Sequence, residues 1–94
     1  MAITPNSITG DAWTPITSAG ESGTCWLQNI PDKGQVVINH SNSGVPSAGD
    51  VDDSYFMVNN QNKIVEITAD DAADVFYARC SVAGESAKII ADVI

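Results

Sequence analysis

Hydrophobic and polar residues alternate in short runs along this chain, and no segment sustains the three-to-four-residue spacing of an amphipathic helix. The alternating and β-branched runs predict strands at Ala12–Thr17, Thr24–Ile30, Gln35–His40, Tyr55–Val58, Lys63–Ile67, Val75–Val82 and Lys88–Val93, with a short one at Ser7–Thr9. Between them lie Ser18–Gly23, Pro31–Gly34 and Asn59–Asn62, rich in residues that tolerate turn geometry. Thr68-Ala69-Asp70-Asp71 has the Thr-x-x-acid form of a helix start, yet Val75 opens a strand so soon that one helical turn is the most it predicts. Seven or eight short strands predict one all-β domain over residues 1–94, an antiparallel β-sandwich or jelly-roll-like barrel. Residues 1–10 are available as an extended N-terminal arm.

The faces of these strands say what should pack. In Val75–Val82, Phe76, Ala78, Cys80 and Val82 form a core row, while Val75, Tyr77 and Arg79 share the opposite face. Leu27, Val36, Ile38, Phe76, Ala78 and Ile89 are the expected core, with Cys25 and Cys80 as buried free thiols. Strands with one wet face should alternate cleanly. Val36-Val37-Ile38, Ile64-Val65 and Ile89-Ile90-Ala91 do not. Such a surplus of apolar surface predicts a homo-oligomer with Val75, Tyr77 and Arg79 at its interface. Pro15 cannot donate to a ladder, so its strand belongs at a sheet edge, where Trp13 is expected to cap the core, the alternative being to dock a neighbour. Ala19-Gly20-Glu21-Ser22 recurs as Ala83-Gly84-Glu85-Ser86, an offset of 64 residues, and predicts two hairpins with matching turns.

Charge and chemistry narrow the function. Twelve acids against four bases give a net charge of −8, the wrong sign for binding phosphates of nucleic acid or an anionic membrane surface. No apolar stretch approaches the roughly 20 residues of a membrane span. The start lacks the basic and apolar regions of a signal peptide, so the product is expected to stay in the cytoplasm where it is made, its thiols reduced. His40 is the sole histidine, so no histidine pair is available for a metal centre and a catalytic triad would rest on it alone. Its parity with Val36 and Ile38 makes it the structural end of a core row. Asp50-Val51-Asp52-Asp53-Ser54 spaces its oxygens loosely like a calcium loop that Asp70, Asp71 and Asp74 could extend, but it lacks the Gly and Glu that complete one. No catalytic residue, metal or cofactor is expected, and a cupin-like enzyme is disfavoured because His40 alone cannot supply its usual metal cluster. The aperiodic stretch Ser41–Ser54 is expected to face outward, since its acids would be costly to bury unpaired.

Taken together, Trp13-Thr14-Pro15-Ile16, Trp26-Leu27-Gln28-Asn29-Ile30 and Val36-Val37-Ile38 early, then Ile67-Thr68-Ala69-Asp70-Asp71, Val75-Phe76-Tyr77-Ala78-Arg79 and Ala87–Val93 late, form an order of strand starts and turns. This order resembles the small β-rich virion proteins of tailed bacteriophages that decorate capsids or form head fibres. The resemblance implies a non-enzymatic structural role in the virion, a homotrimer, and contact with the major capsid protein or another virion protein. The alternative expectation is a carbohydrate- or partner-binding β-module of a phage tail or adhesin.

Overall fold

The computed structural model describes residues 2–46, 56–58, 60–61 and 63–94. Eight strands run along it: β1 (Ala2–Thr9), β2 (Thr14–Pro15), β3 (Gly23–Asn29), β4 (Val36–Ser41), β5 (Phe56–Val58), β6 (Val65–Ile67), β7 (Val75–Cys80) and β8 (Ser86–Val93). They form two four-stranded antiparallel sheets, ordered β1-β8-β3-β6 and β2-β7-β4-β5. The bonded pairs β1·β8, β2·β7, β3·β6 and β4·β5 nest like one long hairpin, and β3·β8 with β4·β7 complete the two sheets. A long hairpin rolled in this way is a sandwich of jelly-roll topology. The fold class expected from the strand pattern is the one observed.

Several details differ from expectation. The short strand foreseen at Ser7–Thr9 is eight residues long, and residues 2–9, set aside as an arm, lie in register along β8. Pairing with the apolar β8 lets a segment holding Pro5 extend, because a strand at a sheet edge needs only one row of donors. The Thr68–Asp74 segment forms turns, and no helix occurs among the described residues. The repeated Ala-Gly-Glu-Ser segments are corners, since each carries the chain from the β2 sheet to the β1 sheet. Both bend at glycines in the left-handed region, Gly20 (φ 77°) and Gly84 (φ 83°), so the turn chemistry was legible but not the sheet that the chain would enter next. The strands they join cross at Thr14↔Ala78 and Trp26↔Ile90, each pair separated by the same 64 residues. Pro15 does lie on an edge strand; Ile16 continues its ladder by donating to the Phe76 carbonyl at 2.9 Å.

The core fills the space between the sheets. Ile8, Leu27 and Ile89 enter from one side and Val36, Ile38 and Phe76 from the other. Every expected core residue is buried, Ala78 included, and Cys25 and Cys80 are buried free thiols. Burial pushes the Cys25 thiol up to about 12. The Cys80 thiol is raised by burial and by the Glu85 carboxylate, against the opposing charge of Arg79. Val82, assigned to the core row, is instead exposed just past the end of β7.

Candidate functional site

Two features of this sandwich are candidates for function: a polar cluster at one end of β4, and the outer faces of the two sheets. The cluster begins with β7, whose register sets Phe76 opposite His40 at the end of β4. The His40 ring packs against Phe76 with centroids 5.3 Å apart and planes tilted by 34°. The turn before β7 supplies the acids. Asp74 is only 2% exposed, and its Oδ1 and Oδ2 lie 3.0 and 2.9 Å from His40 Nδ1. Its Oδ2 also accepts from the Asp70 N–H at 3.0 Å, which draws the turn around the carboxylate. A buried carboxylate would be costly without such partners.

Asp70 reaches the same nitrogen from the solvent side, with its Oδ2 3.8 Å from Nδ1. Asp71 turns away: its Oδ2 accepts from Asn42 Nδ2 at 2.9 Å and its Oδ1 from the Ala73 N–H at 2.8 Å. These bonds hold its carboxyl below the ordinary range. A pocket of about 250 Å³ lies here, lined by His40, Ser41, Asn42, Asp70, Asp71 and Asp74. Candidate ligand atoms of His40, Asp70 and Asp74 all fall within 4.8 Å of one another. Of the acids weighed as a calcium loop, Asp50, Asp52 and Asp53 lie outside the described residues, as does most of the Ser41–Ser54 stretch. Parity placed His40 beside the core, but no local signal could announce Asp74, a contact made across 34 residues by the β4·β7 register.

The outer faces differ sharply. On the β2 sheet, register aligns Arg79, Val37 and Met57 across β7, β4 and β5, and Trp13, one residue before β2, extends the row. Trp13, Val37 and Tyr77 form a second buried cluster, with Val75 packed against it. The Arg79 guanidinium stands 5.6 Å from the Trp13 ring centroid, and its Nη2 donates to the Gly10 carbonyl at 2.6 Å. Val75, Tyr77 and Arg79 therefore share a face away from the core, as their parity required. The centre of that face is covered from within: Tyr77 and Arg79 are buried and Val75 is half-buried, while Met57 at the β5 edge is exposed. The middle of the Val36–Ile38 run thus has a cover in its own chain, with Val37 fully buried.

On the β1 sheet, register aligns Pro5, Ile90 and Trp26 across β1, β8 and β3. One residue beyond the Cys25↔Val65 pair, Ile64 continues the row. Pro5 and Ile64 are exposed, and Ile90 and Trp26 are half-exposed. Of the neighbouring rows, one sets Ile3 beside Asp92, Thr24 and Glu66, and the other aligns Ser7, Lys88 and Asn29. An apolar stripe crosses this face, open to solvent at its Pro5 and Ile64 ends and partly open at Ile90 and Trp26. No family model, curated protein or solved structure matches this chain.

Proposed function

We propose that this protein is a non-enzymatic structural module of a virion surface, assembling with copies of itself on a capsid. The observation that carries this reading is the open stripe Pro5–Ile90–Trp26–Ile64 on the β1 sheet. An aromatic and aliphatic centre with a polar rim is the anatomy of a protein contact. Asp92 Oδ1, in the adjoining row, is buried with no hydrogen-bond partner among the described residues. An unpaired carboxylate oxygen is costly, and a small rotation would offer it to a donor across an interface. By analogy of fold alone, jelly rolls house viral capsid and lectin domains as well as cupins. The virion setting rests on the resemblance in the order of strands and turns.

The occupant of the stripe is a neighbouring copy, in the trimer that the resemblance implies. With −8 per chain, copies repel one another, so apolar burial must drive assembly and added salt should strengthen it. Sedimentation at micromolar concentration is expected to give three times 9.9 kDa. Ile90→Glu should return the monomer, and a wild-type monomer at low and high salt would overturn the assembly.

A second reading is favoured by one residue. Half-exposed Trp26 stands between the Thr24–Asp92 and Asn29–Lys88 pairs, and such a ring can stack on a sugar, as in a tail or adhesin module. Imaging of purified particles bearing a label on this chain separates the two settings. Label at regular shell sites supports the capsid role, label at tail tips supports the adhesin, and unlabelled particles contradict both.

A further inference from the structure

We propose that His40, Asp70 and Asp74 form a binding site for one divalent transition-metal ion of the Zn²⁺ class. The cluster mixes one imidazole nitrogen with two carboxylates. The nitrogen selects borderline ions such as Zn²⁺ over Ca²⁺, which prefers oxygen alone.

Geometry carries the proposal. Both oxygens of Asp74 are nearly equidistant from His40 Nδ1, at 3.0 and 2.9 Å. One N–H cannot point straight at two acceptors, and although Oδ2 also accepts the Asp70 N–H, each carboxylate oxygen keeps a lone pair for a cation. A cation on the bisector serves both. An ion about 2.1 Å from each atom would subtend about 90° between Nδ1 and either Asp74 oxygen at those separations. For Asp70 Oδ2, 3.8 Å from Nδ1, the same construction gives about 130°. These angles suit an ion chelated by Asp74, bound by His40 and Asp70, and open to water through the pocket.

Charge points the same way. Asp74 is buried and Asp70 stands beside it, so the trio carries two negative charges when the imidazole is neutral. A divalent ion neutralises them without protonating His40. The ligands are held in place from outside. The Asp70 N–H donates to Asp74 Oδ2, as second contacts to ligating carboxylates do, and the Phe76 ring packs against the imidazole. Asp71 is already engaged by Asn42 and Ala73, which fixes the turn without competing for the ion. A bound ion would tie the β6–β7 turn to the end of β4, linking two segments 30 residues or more apart in sequence.

The single histidine makes the test unambiguous. In the metal-free protein an ionised Asp74 can only accept, which assigns the imidazole proton to Nδ1. Zn²⁺ displaces it, so the imidazole carries its proton on Nε2. Long-range ¹H–¹⁵N spectra of the one imidazole report which nitrogen is protonated as Zn²⁺ is added. The expected result is a saturable change at one ion per chain, with the tautomer switched and the unfolding temperature raised. Asp70→Asn removes an exposed ligand and keeps the His40–Asp74 contact, so its fold is not at risk. It should weaken binding at least about tenfold, the scale of losing a metal-site contact. An imidazole spectrum unchanged at millimolar Zn²⁺ would overturn the proposal, as would equal affinities in wild type and Asp70→Asn.

Discussion

The two sheets of this sandwich solve the same problem in opposite ways. Each has an outer face with too much apolar surface for water. On the β2 sheet, Trp13 folds over Val37 and Tyr77, and Arg79 closes the margin through its guanidinium and its bond to the Gly10 carbonyl. On the β1 sheet, Trp26 lies in a comparable row but has no arginine or neighbouring aromatic aligned in it, and it stays half-exposed. Strand register makes the difference. A residue just before a two-residue edge strand can swing over its own sheet, whereas a residue in the middle of the central strand β3 points straight out. One face is thus largely covered by its own chain, and the other keeps more of its apolar row in solvent.

Paired substitutions give the largest test of this contrast. Trp13→Ala should cost about 3–5 kcal/mol in denaturant unfolding, the range for truncating a packed aromatic. Trp26→Ala should cost less, about 2 kcal/mol in the monomer, since part of its ring surface is open to solvent. Equal losses would break the contrast.

The core shared by both faces predicts a pH dependence. Cys25 titrates near 9.0 when unfolded and at about 12 when buried. Because the folded value is the higher one, its contribution is fully present below pH 9 and is lost as pH rises toward 12. In that window the unfolded chain releases the thiol proton and the folded chain does not, so stability should fall by about 1.4 kcal/mol per pH unit for this group. Cys25→Ala should remove that slope, as measured by denaturation at a series of alkaline pH values.

Arg79→Lys tests how the closed face is sealed. A lysine keeps the charge but loses the guanidinium over the Trp13 ring and the forked donors, so a loss of about 1–2 kcal/mol is expected. The smallest effect belongs to the open face. Ile90→Glu should change monomer stability by less than about 1 kcal/mol, because the side chain is only half-buried. The same substitution should abolish assembly, a separation that a merely structural residue would not show.

Much of this was legible in the chain. Period-two alternation placed the central strands and the core row, and Pro15 marked its edge. The parity of Val75, Tyr77 and Arg79 was also readable, but whether another part of the chain would cover them was not, since Trp13 reaches them from more than 60 residues away in sequence. The apolar runs signalled surplus surface without saying which sheet kept it. Register decides that, and register comes from pairings such as Trp26↔Ile90 that join distant segments. The His40–Asp74 contact was hidden for the same reason, while the turn at Thr68–Asp74 was visible locally and ambiguous only in its type.

Because the chain has two tryptophans, one on each face, fluorescence quenching tests the central claim most directly. Single-tryptophan variants Trp13→Phe and Trp26→Phe would be titrated with acrylamide, a neutral quencher indifferent to the −8 charge, across a range of protein concentrations. Trp13 should be protected at every concentration. Trp26 should be accessible in dilute protein and become protected as copies assemble. A Trp13 as open as Trp26, or a Trp26 whose accessibility never changes with concentration, would contradict the account.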